Sequence, residues 1–308
     1  MKNKVIVIVG PTASGKSSLA LDTAEALHGK IISADSMQIY KGLDIGTAKV
    51  TKEEMQKIPH DMIDICEITE KFDVATYKKM CYDAIDKAIL DGFVPIIVGG
   101  TGLYINAVVN NVTFAETIDE NKEVEQKIAA LKSKTTEKLY EYLCEINTKK
   151  AESVDRFNRR RVERAIYLTL LGNTTQDNNL WVKSESKYDF IVFYIDMPRD
   201  LLYDRINKRV DIMTEQGVTS EAKTLYDLQD KKNNTACQAI GYKEFFPYLD
   251  NTKPLEECVE TLKINTRHYA KRQITWFKKL PDKIIMDGTR PRAELVKQIV
   301  KEYYESKT

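Results

Sequence analysis

The chain has 308 residues, of which 43% are hydrophobic and 30% charged, with 47 basic against 46 acidic side chains and a formal net charge of +1. This is the composition of an ordinary globular protein, with enough chain for a sizeable core in one large domain or two smaller ones. A charge so close to zero confines any nucleic-acid surface to a local basic patch, and no stretch approaches the ~20 apolar residues of a membrane span.

The N-terminus, Met1-Lys2-Asn3-Lys4 before an apolar run, looks superficially like a signal peptide. The run is only Val5-Ile6-Val7-Ile8-Val9 and ends in Gly10-Pro11, too short for a secretory core. It predicts a buried strand instead. Next comes Gly10-Pro11-Thr12-Ala13-Ser14-Gly15-Lys16-Ser17, which fits the phosphate-loop spacing G-x-x-x-x-G-K-[ST]. A helix is predicted from Ser17 to Leu27. Strand, Gly-rich turn and helix start together aim backbone N–H groups at an anion, with Lys16 as a point charge and the Ser17 hydroxyl as a magnesium ligand. Alone, such a loop suggests a nucleoside triphosphate.

Lys30 to Ala34 predicts a short buried strand that ends at Asp35. A carboxylate at that strand end could serve as a general base, as a cap, or as a metal-directed carboxylate. Residues 74–90 carry Val74, Tyr77, Met80, Cys81, Ile85 and Ile89 at helical spacing, and Gly92 is a natural stop. Val94 to Val98 is the next strand, followed by Gly99-Gly100-Thr101-Gly102. The alternation predicts a parallel α/β core, with Ser17, Asp35 and Thr101 at the carboxyl edge where ligands collect.

Residues 111–184 change character and predict a small all-helical insertion, leaving a core made of 1–110 and 185–308. Within the insertion, Asp155 to Arg164 predicts a basic helix in which Arg156, Arg160 and Arg164 stack at i, i+4 and i+8. Such a ridge is either a solvated face or a set of phosphate contacts, for which arginine is the bidentate ligand. Phe190 to Ile195 returns to strand, and Pro198 to Met213 is a helix on which Arg205 and Arg209 lie one turn apart. They either clamp a leaving diphosphate or pair with Asp204 and Asp211 at the surface. A long helix from Pro254 to Lys278 mixes bases with Tyr269, Trp276 and Phe277; Arg267 and Lys271 share one side and suit RNA, although the aromatics also suit a core. Lys283 to Met286 and Arg292 to Tyr304 predict a last strand and helix. The five cysteines are scattered, with no C-x-x-C, as in reduced thiols of a cytosolic protein.

Several of these motifs converge. Gly10 to Ser17, Ser33-Ala34-Asp35-Ser36, Gln38-Ile39-Tyr40, Leu43 to Lys49, Val98 to Tyr104, Ala239-Ile240-Gly241-Tyr242 and Tyr269 to Phe277 resemble the bacterial tRNA dimethylallyltransferases over nearly the whole chain. The resemblance implies a P-loop-containing parallel sheet flanked by helices, with a tRNA-binding helical insertion. It implies transfer of a dimethylallyl group from dimethylallyl diphosphate to N6 of the adenosine at tRNA position 37, in tRNAs reading codons that start with U. It places the donor diphosphate on Gly10, Pro11, Thr12, Ala13, Ser14, Gly15, Lys16 and Ser17, with Mg2+ near Ser17. Asp35 is then the base; Thr101, and on their helical spacing alone Arg205 and Arg209, are expected to complete the reaction centre. Contacts to the anticodon stem-loop fall on Asp35, Ser36, Met37, Gln38, Thr101, Arg159, Arg160, Arg161, Val162, Glu163 and Arg164, with Arg267 and Lys271 added. Two positions depart from the family pattern: Glu125 follows Val124 where an arginine is common, and Asp61 follows His60 where a second histidine is frequent. A cytoplasmic monomer is expected. The alternatives are a prenyltransferase of free adenine nucleotides, a small-molecule kinase, or an RNA-binding module with a vestigial loop.

Overall fold

The computed structural model describes residues 2–112, 122–131, 133–171, 184–228 and 234–306. The chain divides into two compact units, Met1–Asn111 with Glu185–Thr308, and Val112–Ser184.

The first unit opens with β1 (Asn3–Val9), α1 (Lys16–Leu27), β2 (Gly29–Ser33), α2 (Lys52–Lys57), β3 (His60–Asp61), α3 (Val74–Leu90), β4 (Val94–Gly99) and α4 (Gly102–Val109). The second unit supplies α5 (Lys122–Leu131), α6 (Thr136–Ile146), α7 (Thr148–Glu152) and α8 (Arg159–Leu170). The first unit resumes with β5 (Tyr188–Asp196), α9 (Arg199–Glu215), α10 (Val218–Tyr226), α11 (Phe246–Leu249), α12 (Leu255–Phe277), β6 (Ile284–Asp287) and α13 (Arg292–Glu305).

The six strands form one sheet in the order β3-β2-β4-β1-β5-β6, and every pairing is parallel. A parallel sheet is covered on both faces, which is why β1 reads as an unbroken apolar run. Its side chains alternate between two cores. Val5, Val7 and Val9 pack with Tyr77, Cys81 and Ile85 of α3 and with Ile105 and Val108 of α4. Ile6 and Ile8 pack with Leu19 and Ala20 of α1 and with Leu295 and Ile299 of α13. A third core joins Ile39, Tyr40 and Leu43 to residues of α9, α10 and α12, among them Val210, Leu225 and Leu262.

The register aligns the strand ends. Ser33 lies opposite Val98, and Val9 lies between Gly99 and Tyr194. The segments following β1, β2, β4 and β5 therefore leave the sheet along one edge. Central β1 is flanked by β4 and β5, so the chain order reverses at it, and this is the crevice where open α/β sheets bind ligands.

The parallel α/β core matches the sequence expectation, and the segments 34–73 and 102–109 hold elements it left unread. A capping box at Thr51 and Glu54 builds the short α2, and β3 adds an edge strand. The helical unit has its own core of Leu139, Leu143, Val162, Ala165 and Ile166. Among the described residues no helix is long and apolar enough to cross a membrane.

Candidate active site

A cavity of about 700 Å³ opens at the carboxyl edge of the sheet, lined by the loop after β1, the segment after β2, the turn at residues 46–50, and α9 and α12. One wall is the phosphate loop. Gly15 sits at φ +86°, the left-handed region that favours glycine, and caps α1 with no side-chain hydrogen bond. The first amides of α1 are left for a ligand, and helix N-termini attract anions. Gly10 and Pro11 are buried beneath the loop, whereas Thr12, Ala13, Gly15, Lys16 and Ser17 line the cavity. Ser14 Oγ is buried without a hydrogen-bond partner.

Lys16 Nζ donates to the Pro11 carbonyl at 3.4 Å. Burial and the neighbouring Arg209 charge push its ammonium down to about 8, against the opposing pull of Asp35. Arg209 is lowered by burial as well, and Asp35 again offsets part of the effect. Both cations thus lack solvation, and a polyanion in the cavity would supply it. Arg209 does not pair with acids at the surface: Nη1 donates to Thr12 Oγ1 at 3.3 Å and Nη2 to the Thr47 carbonyl at 3.4 Å. Arg205 reaches the same loop, with Nη1 4.0 Å from where a Gly15 Cβ would stand. Asp211, the surface alternative, pairs with Lys263 instead.

Asp35 is the one acidic residue among the described residues that line the cavity. Its Oδ1 accepts the Met37 amide at 2.9 Å, an Asx turn that orients the carboxylate. Thr101 fixes this segment to the end of β4. Its Oγ1 accepts the Ser36 amide at 3.0 Å, and its own amide donates to the Ala34 carbonyl at 3.1 Å. Thr101 is a positioning residue for the Asp35 turn rather than a group in the cavity lining. Ser36, Met37 and Gln38 line the cavity beside Asp35. Gln38 accepts from Ser33 Oγ at 3.1 Å.

Helix α12 contributes through residues of the Tyr269-to-Phe277 motif other than the expected Arg267 and Lys271. Gln273, 5% exposed, accepts the Thr12 amide through Oε1 at 2.8 Å and donates through Nε2 to the Gly100 carbonyl at 2.9 Å. It bridges the phosphate loop to β4, and any Cβ at position 100 would collide with it. Tyr269 and Arg272 line the cavity as well. Arg267 and Lys271 do not: Arg267 donates to Asn207 Oδ1 at 2.6 Å, and Lys271 is exposed on another side. The aromatics divide. Phe277 is core, while Trp276 is 42% exposed.

In the helical unit, α8 begins at Arg159, where the Asn158 side chain accepts the Arg161 amide at 3.2 Å. This corrects the expected ridge, because Arg156 falls in the turn before the helix and cannot stack with Arg160 and Arg164. Val162 is a further correction. It is fully buried in the core of the unit and presents no surface to RNA. Glu163 pairs with Arg159 at 2.7 Å, whereas Arg161 and Arg164 are exposed. Val124 is buried, and the Glu125 side chain lies outside the described residues.

No group of three or more potential metal-binding acids, histidines or cysteines occurs among the described residues. Magnesium does not require one. It keeps several waters and takes one or two protein oxygens beside substrate phosphates. Ser17 Oγ at the loop, next to an anion-binding helix start, fits that donor set.

Comparison with known proteins agrees with this geometry. A family model described as IPP transferase matches residues 38–280. A tRNA dimethylallyltransferase of Bacillus velezensis is 44% identical over 288 residues, 91% of each chain. One from Streptococcus agalactiae is 41% identical over 309 residues, 99% of each. The crystal structure of a full-length tRNA isopentenylpyrophosphate transferase from Bacillus halodurans superposes with a TM-score of 0.74 at 39% identity, over 99% of this chain and 98% of that one. A eukaryotic dimethylallyltransferase described as acting on tRNA reaches a TM-score of 0.82 at 28% identity, over 99% of this chain and 80% of that one. With the loop, the carboxylate and the enclosing helices in place, the chain belongs to the IPP transferase family, that of the tRNA dimethylallyltransferases.

Proposed function

We propose that the protein transfers the dimethylallyl group of dimethylallyl diphosphate to N6 of adenosine 37 in tRNAs reading codons that start with U. The observation that carries this reading is the polarity of one cavity. Lys16, Arg205, Arg209 and the start of α1 gather at the phosphate loop, and the carboxylate of Asp35 lines the same cavity, close enough for its charge to act on Lys16 and Arg209. The cationic wall takes the donor diphosphate. The carboxylate takes the adenine amino group. Thousands of phosphate loops serve phosphoryl transfer, but here the phosphates are the leaving group.

The residues then have distinct tasks. The N6 lone pair attacks the allylic carbon, an N–C bond forms, and the C–O bond breaks with its electron pair leaving on the diphosphate. Lys16, Arg205 and Arg209 stabilise the charge that develops there, where preorganised cations act most strongly. Asp35 accepts the proton lost by N6. An adenine stacked on its neighbours in the anticodon loop cannot reach this cavity, so the base must be flipped out. Magnesium, held by Ser17 and the diphosphate, would supply further charge neutralisation. The exposed arginines Arg160, Arg161 and Arg164 would hold the anticodon stem-loop through its phosphates. We read the protein as a cytoplasmic monomer.

The test is direct. Purified protein, dimethylallyl diphosphate, magnesium and unmodified tRNA should yield isopentenyladenosine by mass spectrometry. No product with any adenosine-containing tRNA would overturn the reading, and prenylation of AMP without tRNA would favour the free-nucleotide alternative.

A further inference from the structure

Glu221, on α10, sends its carboxylate to three successive backbone amides. Asp44 N donates to it at 3.0 Å, Ile45 N at 2.8 and 2.9 Å to its two oxygens, and Gly46 N at 3.1 Å. The Tyr242 hydroxyl donates to the same carboxylate at 3.0 Å, and the Tyr242 ring packs against Gly46. The three amides open a single turn. Ala48 N to Ile45 O and Lys49 N to Asp44 O, both 3.0 Å, close it, and Thr47 Oγ1 donates to Leu43 O at 2.6 Å.

The far end of this turn forms part of the cavity wall. The Thr47 and Ala48 carbonyls accept from Gln38 Nε2 at 3.3 and 3.4 Å, and the Thr47 carbonyl also accepts from Arg209 Nη2 at 3.4 Å. A carboxylate behind the turn therefore fixes the carbonyl that holds Arg209 in front of it. Arg209 in turn spans from that carbonyl to Thr12 of the phosphate loop.

We propose that Glu221 is a positioning residue for the reaction. By anchoring the Asp44–Gly46 turn it sets the place of Arg209, and through Arg209 the affinity for the departing diphosphate. The proposal rests on the donor-diphosphate reading of the cavity. A carboxylate has two acceptor oxygens and no donor, which suits three converging N–H groups. A carboxamide has one acceptor oxygen and would set an NH2 against an amide donor, so Glu221→Gln breaks the anchor while keeping the size of the side chain.

Inorganic diphosphate is the probe, with its affinity measured by calorimetry for the full chain, Glu221→Gln, Arg209→Ala and the double variant. Glu221→Gln should weaken diphosphate by about tenfold, a loss that a double-mutant cycle resolves. It should cost nothing further when Arg209 is already alanine. Tyr242→Phe, which keeps the amide bonds, should give a smaller loss that also vanishes without Arg209. Wild-type diphosphate affinity in Glu221→Gln, or an undiminished loss in the Arg209→Ala background, would overturn the proposal. Should Glu221→Gln fail to fold, the cycle is run with Tyr242→Phe, and an additive loss there overturns it equally. Wild-type protein that does not bind diphosphate would overturn the donor-site reading, and this proposal with it.

Discussion

Asp35 and Lys16 carry the sharpest consequences of the geometry. The Asp35 carboxylate is oriented by the Met37 amide and shares the cavity with cations. Asp35→Ala should therefore lower single-turnover prenylation by roughly 10²–10⁴-fold, the usual worth of a positioned general base, with tRNA affinity retained. A large affinity loss with intact turnover would refute the base role. Lys16 makes a prediction about pH. Its ammonium is pushed down to about 8, and a cation carries its charge below its pKa. In the ligand-free protein the charge is present below about pH 8 and lost above it. Affinity for inorganic diphosphate should accordingly fall as pH rises through 8, and a flat calorimetric profile from pH 7 to 9 would contradict this. Both residues are legible in the sequence because their settings are local, one in a contiguous loop and one at a strand end. Gln273 is not, since its partners Thr12 and Gly100 lie far away in the chain. A faint signal existed. Gln273 occupies a place on the buried stripe of α12 that runs through Ala270, Ile274 and Phe277, and a polar residue there must find partners.

At the scale of elements, α8 shows how one cap changes a reading. Charge periodicity alone extends the helix back to Asp155, and on such a helix Arg156 aligns with Arg160 and Arg164. Asn158 instead accepts the Arg161 amide and starts the helix at Arg159, as asparagine does at an N-cap. Turn chemistry outranks charge spacing here because it decides where the backbone becomes helical. The apolar face of α8 was legible, since Val162, Ala165 and Ile166 recur at helical spacing and all are buried. The opposite face carries the exposed Arg160, Arg161 and Arg164 that we propose meet RNA. Reversing Arg160, Arg161 and Arg164 to glutamate should weaken tRNA binding and flatten its dependence on salt, because each lost phosphate contact removes about 0.7–0.9 from the log–log slope. Filter binding between 50 and 200 mM salt, a range in which such contacts dominate, checks this. An unchanged slope would leave α8 as a solvated face. The edge strand β3 was illegible for a different reason: two residues, His60 and Asp61, carry no periodicity, and only pairing with Ile31 and Ile32 defines them.

For the whole molecule, the sequence pattern marks where one kind of chain interrupts another, and the fold explains why the interruption is tolerated. Among the described residues, the sheet, the hydrophobic clusters packed on it and the lining of the cavity all come from Met1–Asn111 and Glu185–Thr308. The two ends of the gap are also neighbours, since Asn111 Nδ2 donates to the Glu185 carbonyl at 2.9 Å. Two chain ends this close need only a short connection, and closing a short loop costs little entropy. Replacing residues 112–184 by a brief Gly-Ser linker should therefore leave a cooperatively folding protein that binds inorganic diphosphate as the full chain does. The same variant should lose tRNA affinity, because it removes the helical unit with Arg160, Arg161 and Arg164. Prenylation of tRNA should then fall while the donor site persists. Calorimetry with diphosphate and a thermal melt separate these outcomes. A linker variant that folds and binds diphosphate yet modifies tRNA at the full-chain rate would show that recognition resides in the α/β unit.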